Sequence, residues 1–158
     1  MFRFDPRSLS IGALALATAL TTAFWLDRMD GSAQAAEPAA RVARADDGHY
    51  WARASIEGQS VDLMVDTGSS LVVLTRQDAE RLGYRLDDAD YSVRLNTASG
   101  SVAAAPIRLA AVGVGSARVE RVAALVAADG LPHSLLGMSY LGRLSGFEAT
   151  PTTLTLRG

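Results

Sequence analysis

The ten residues Val61-Asp62-Leu63-Met64-Val65-Asp66-Thr67-Gly68-Ser69-Ser70 concentrate the groups able to do chemistry. Val61, Leu63 and Val65 alternate with Asp62, Met64 and Asp66, which is the period of a β-strand. Such a strand delivers Asp66 into a turn made of Thr67, Gly68 and Ser69. A carboxylate at the end of an apolar strand is costly to bury unless it is hydrogen-bonded or shares a proton. Gly68 has no side chain, so a substrate or another backbone can approach it closely. Its N–H can donate to the carboxylate, and the Thr67 hydroxyl can brace the turn or a symmetry-related copy. A carboxylate held this rigidly makes sense beside a second one. Two carboxylates about 3 Å apart cannot both ionise, so they share one proton. The ionised member then takes a proton from water while the protonated member polarises a carbonyl. That is general acid–base hydrolysis of an amide, and it asks for no metal, no cofactor and no covalent intermediate. The competing reading of Asp66-Thr67-Gly68 is an ordinary strand-end turn, where Asp and Gly are common.

The elements around this turn read as short strands with tight connections. His49 to Ile56 is a candidate strand, and Glu57-Gly58 is a turn leading into the Asp66 strand. Leu71 to Leu74 forms a short apolar strand. Thr75 is placed to cap a helix over RQDAERL that Gly83 ends. Tyr91 to Asn96 and Val102 to Leu109 flank Thr97-Ala98-Ser99-Gly100-Ser101, whose small residues suit a hairpin tip. Ala110 to Val114 and Val119 to Val126 pair across Gly115-Ser116. Ser139 to Leu144 is a second short helix after Gly137, and Leu154 and Leu156 alternate with Thr in a last strand. Many short strands with one or two brief helices predict an all-β barrel or sandwich.

The motifs resemble those of the retropepsin-like aspartic proteases. Their hallmark is Asp-Thr/Ser-Gly after an apolar strand, here Asp66-Thr67-Gly68, followed about 70 residues later by two apolar residues and Gly, here Leu135-Leu136-Gly137. The chain is similar to a bacterial group of these proteases with an N-terminal membrane anchor, at Gly48-His49-Tyr50, at Thr97-Ala98-x-Gly100 and at Leu135 to Leu141. The resemblance implies an acid-protease fold with one lobe per chain. It implies Asp66 as catalytic residue, Thr67, Gly68 and Ser69 as active-site turn, and Thr97, Ala98, Ser99 and Gly100 as a flap over the substrate. It also implies that Leu135, Leu136 and Gly137 pack around the turn. Ser69 stands where many retropepsins have Ala; its hydroxyl is expected to hydrogen-bond the Asp66 carboxylate and favour an acidic optimum.

Asp62, Asp78, Asp87, Asp88, Asp90 and Asp129 are not followed by Thr-Gly or Ser-Gly. The second carboxylate is therefore expected from another copy, with two Asp66 side chains about a two-fold axis. The C-terminal strand at Leu154 and Leu156 is a candidate dimer contact. The expected function is an aspartic endopeptidase acting on peptide or protein substrates. The alternative is a non-catalytic module of the same shape that dimerises or binds peptides.

Composition bounds these readings. The chain has 158 residues, 49% of them apolar, enough to bury a core. Fifteen basic and seventeen acidic side chains leave a net charge of −2, without the basic surplus of a nucleic-acid binder. With no Cys, disulfides, thiol nucleophiles and thiolate metal sites are excluded. His49 and His133 lack metal-ligand spacing and are expected to be solvated or structural.

Ser8 to Leu26 carries no charge and would span roughly 28 Å as a helix, close to a bilayer core. Arg3 and Arg7 precede it, which orients residues 1–7 to the cytoplasm and the remainder outward. A cleaved signal peptide ending at Ala33-Gln34-Ala35 is the competing reading. The expected organisation is a transmembrane helix or signal anchor at 8–26, a flexible Ala-rich linker at 27–46 and a protease domain at 47–158. That places a single-pass protein in an inner membrane with its catalytic domain in the periplasm, releasable by cleavage in the linker.

Overall fold

The computed structural model describes residues 39–97 and 100–158. The expected cytoplasmic segment and transmembrane helix, and the flap residues Ala98 and Ser99, lie outside the described residues. Among the described residues no helix is long and apolar enough to cross a membrane.

Ten strands and two short helices are present among the described residues. The strands are β1 (Ala39–Ala43), β2 (Trp51–Ile56), β3 (Gln59–Val65), β4 (Val72–Leu74), β5 (Val93–Thr97), β6 (Gly100–Val114), β7 (Ala117–Ala127), β8 (Leu135–Leu136), β9 (Gly146–Ala149) and β10 (Thr153–Arg157). The helices are α1 (Arg76–Arg81) and α2 (Met138–Leu141). The all-β class with two brief helices is as expected. Seven strands pair in the order β2-β3-β8-β4-β7-β6-β5, and Ser55–Ile56 pairs again with Val112–Gly113, so the sheet curls until β2 meets β6.

The β2–β3 turn shows why the local sequence folds as it does. Glu57 and Gly58 both have positive φ, 49° and 78°, the pair of conformations that a two-residue hairpin matched to strand twist requires. Val61 and Leu63 then face inward, 2% and 0% exposed, while Asp62 faces out. At Thr75 the expected cap is made: its hydroxyl oxygen accepts the Asp78 N–H at 3.1 Å. Gly100 to Val114 is one continuous strand where two were expected. Pro106, which lacks an N–H, falls between Ala104, where pairing with β5 ends, and Val112, where pairing with β2 begins.

Two expectations are corrected here. Residues Ala39–Ala43, placed in the linker 27–46 by their Ala content, form β1 and pair antiparallel with Thr153–Arg157. Ala40 and Val42 are buried against the core while Arg41 points out, so the strand period is present but written in small residues. The C-terminal strand, expected as a dimer contact, is the middle strand of the sheet β1-β10-β9. Both of its edges are paired within the chain, and Leu154 and Leu156 are buried in the core.

The core also holds Ile56, Leu63, Leu74, Leu109, Leu136, Leu141 and Tyr140. Tyr140 is fully buried and its hydroxyl donates to the Ala117 carbonyl at 3.0 Å. Burial pushes the Tyr140 phenol up to about 12. Burial, and then the Glu57 carboxylate, do the same for Tyr84, also to about 12. An unfolded phenol titrates near about 10, so the stabilisation is complete below that pH and is lost as pH rises through about 12. The free energy of unfolding should therefore decline across this alkaline window. Denaturant titrations at stepped pH should show a shallower decline in Tyr140→Phe, which starts about 1 kcal/mol less stable for its lost hydrogen bond.

Candidate active site

Asp66 stands at the mouth of β3, half-buried, and its position is set by the neighbouring strand. β8 runs parallel to β3, with Met64 opposite Leu135 and Val65 opposite Leu136. The Asp66 N–H donates to the Leu136 carbonyl at 3.1 Å, which fixes the backbone where the strand ends. The turn then closes on itself. Ser69 N–H donates to the Asp66 carbonyl at 3.3 Å, and Gly68 N–H donates to Asp66 Oδ1 at 2.8 Å. The expected donation from the Gly68 amide to the carboxylate is thus made. A Cβ on Gly68 would lie 3.1 Å from that same Oδ1, so the absence of a side chain lets the amide come this close. Thr67 is exposed at the tip of the turn.

The far side of the turn is held from α2. Met138 N–H donates to the Ser69 carbonyl at 2.8 Å. The Ser139 hydroxyl accepts from the Val72 N–H at 2.9 Å and donates to the Ala123 carbonyl at 2.8 Å, tying α2 to β4 and β7. Gly137 lies between β8 and α2 with the turn directly against it. A Cβ there would sit 2.6 Å from the Ser69 carbonyl oxygen and closer still to that of Leu71. The requirement for glycine is steric, since its φ of −95° is open to any residue.

Ser69 departs from expectation. Its hydroxyl donates to the Leu71 carbonyl at 2.7 Å, so the hydrogen bond expected to the Asp66 carboxylate is not the one it makes. That carbonyl lies two residues on, where the chain bends into β4.

Asp66 opens onto a cleft of about 440 Å³. Its inner surface is largely apolar, from Met64, Leu71, Val73, Leu125 and Leu135. The β5–β6 hairpin borders the same space through Leu95, Asn96 and Thr97. Thr97 pairs with Gly100 across the hairpin, and the Thr97 hydroxyl donates to the Gly100 carbonyl at 2.8 Å. The structure therefore brings Asp66, Gly68, Ser69, Leu135 and Thr97 around one cleft. Leu136 and Gly137 support it from beneath.

Gly130, Leu131, Pro132 and His133 form a further wall that sequence reasoning missed. His133, expected to be solvated or structural, is exposed on this wall, with its ring edge-on to Trp51 at 4.8 Å between centroids. The signal was available: if Leu135-Leu136 pairs beside Val65, the residues just before it must lie near Asp66. Among the described residues, no three metal-ligating side chains converge.

Residues 52–143 match the sequence profile of the gag-polyprotein aspartyl protease family. The crystal structure of a retropepsin-like aspartic protease from Rickettsia conorii superposes with a TM-score of 0.68 and 37% identity, covering 75% of this chain and 98% of that one. The chain belongs to the retropepsin-like aspartic proteases. The EIAV protease bound to an inhibitor shares the fold, with a TM-score of 0.52 and 19% identity over 75% of this chain and 97% of that one. Uncharacterised proteins of a Sinorhizobium species and of Rickettsia prowazekii are 37% and 38% identical, over 70% and 73% of this chain. The chain spans about half the length of these curated relatives, 48% and 49%.

In this retropepsin-like domain, Gly137→Ala should force the Ser69–Leu71 backbone to move. The expected cost is about 3 kcal/mol of stability, read by denaturant unfolding, with amide resonance shifts concentrated at Ser69, Ser70 and Leu71.

Proposed function

We propose that the chain is an aspartic endopeptidase whose active site is completed by a second copy of itself. The observation that carries this reading is a half-buried carboxylate on a turn held by Gly68 N–H, facing a cleft bordered by a hairpin. Asp66 lies at the rim of its lobe with Thr67 exposed beside it, where a two-fold axis can bring its counterpart within reach. The two Asp66 carboxylates share one proton, and one of them activates the attacking water. Thr67 braces the partner's turn. The hairpin that pairs Thr97 with Gly100 covers the bound peptide.

The substrate is an extended peptide with apolar side chains flanking the scissile bond. The apolar cleft surface of Met64, Leu71, Val73, Leu125 and Leu135 supports this choice. An extended chain suits a strand-bordered cleft, where its main chain finds partners and alternate side chains enter pockets. With the C-terminal strand enclosed, β1 and β9 are the outer strands of the small sheet among the described residues. The uncharged run 8–26, preceded by Arg3 and Arg7, supports a membrane anchor with the peptidase domain on the periplasmic side. Confinement to a membrane raises the effective concentration for pairing.

Asp66→Asn should lower peptide cleavage at least about a thousandfold while leaving the thermal unfolding midpoint within a few degrees. Mixing that variant with an equal amount of wild type should reduce specific activity to about a quarter of the fully wild-type sample, because one in four random pairs keeps both carboxylates. A fall only to half would mean that each chain works alone. Wild-type protein that binds peptides without cutting them would return the chain to the non-catalytic module.

A further inference from the structure

Two cavities lie back to back in this domain. The cleft over Asp66 has a volume of about 440 Å³, and a second cavity of about 510 Å³ is lined by Asp62, Arg76, Asp78 and Arg81. Leu131, Pro132 and His133 line both. This short wall therefore has open space on each face and no core behind it. Close packing is what ordinarily holds an interior segment in place. A wall without it must be fastened by other means.

One fastening is the edge contact of the His133 ring with Trp51, whose indole N–H donates to Asp47 Oδ2 at 2.8 Å. The other is Ser134, the residue between the wall and β8. Ser134 is 1% exposed and is the buried polar side chain among the described residues. Its hydroxyl donates to Asp78 Oδ2 and accepts from the Thr75 N–H at 3.0 Å. Its carbonyl accepts from the Met64 N–H at 2.9 Å. Asp78 is fixed in turn: its N–H donates to the Thr75 hydroxyl at 3.1 Å, and its Oδ1 pairs with Arg81 at 2.5 Å. Thr75, Asp78 and Ser134 thus close a ring that joins the first turn of α1 to the end of the wall.

We propose that Asp78, acting through Ser134, is the positioning residue that holds the Leu131–His133 wall over the cleft. Asp78 lines the rear cavity and not the cleft, so it acts on bound peptide only through the wall. A hydroxyl donating to a carboxylate is a charge-assisted bond, stronger than one between neutral groups. At 1% exposure, water does not readily replace the partner that Ser134 would lose. Without the bond, the wall is free to swing between the two cavities, and the cleft loses one of its sides.

Peptide-level amide hydrogen exchange on the full chain tests this directly, with wild type, Asp78→Ala, Asp78→Asn and Ser134→Ala. Exchange across residues 131–136 should rise about tenfold in the two alanine variants, while β6 and β7 keep their protection. Asp78→Asn keeps an acceptor oxygen for Ser134 and should stay within about threefold of wild type. Should Ser134→Ala fail to fold, the Asp78 pair carries the comparison. Unchanged exchange over 131–136, or a uniform rise that includes β6 and β7, overturns the proposal.

A kinetic arm rests on the peptidase reading. Asp78→Ala should raise KM for a peptide about tenfold and change kcat less than about threefold. A fall in kcat at constant KM would overturn the positioning role. A wild-type chain that cleaves nothing would defeat the peptidase reading alone, and the exchange comparison would still decide the wall.

Discussion

The parallel contact of two residues of β8 with the end of β3 is the constraint on which the rest depends. It is short, yet the Asp66 N–H is anchored by the Leu136 carbonyl and the Ser69 carbonyl by the first amide of α2. Gly137, between those two anchors, has the backbone of Ser69 and Leu71 where a side chain would be. A polar turn is thereby pressed onto a core of Leu63, Leu74, Leu136 and Leu141. The turn is held both by its own hydrogen bonds and by this close packing. The catalytic role proposed for Asp66 requires a geometry that survives thermal motion, and the two neighbouring elements anchor its turn.

The cleft combines a floor of strands with two bordering segments. Its floor is built from β3, β4 and β7 and is continuous with the core. Its sides are the hairpin at Leu95–Thr97, paired along β6 with Gly100–Val102, and a wall at Gly130–His133. A strand-floored cleft suits the extended peptide proposed as substrate. The Thr75, Asp78 and Ser134 ring lies where the wall joins β8.

The small sheet β1-β10-β9 bears on assembly. If a second copy completes the site, as proposed, the copies must meet through some surface, and sheet edges are ready templates for pairing. The middle strand here is already paired on both sides. Any pairing of copies through this sheet has the outer edges of β1 and β9 to use.

Much of this was legible in the residues themselves. The period of two across Val61 to Val65, the Thr75 cap and the Glu57-Gly58 turn are local rules, and local rules survive folding unchanged. Asp66-Thr67-Gly68 was legible as a strand-end turn able to present a carboxylate, and its partnership with Leu135-Leu136-Gly137 came from the family resemblance. What tertiary structure alone decided were matters of long-range proximity. β1 was hidden because the period of Ala39 to Ala43 is written in small residues that read as linker until Thr153 to Arg157 lies beside them. The Ser69 hydroxyl was expected on the Asp66 carboxylate, and the folded chain gives it the Leu71 carbonyl. The wall at Leu131 to His133 has no signature of its own; it became part of the site because β8 carries it there. Sequence determined which groups could act and which backbone shapes were allowed. Packing between residues some 70 apart decided which of them meet, since proximity is a property of the folded chain and not of any segment within it.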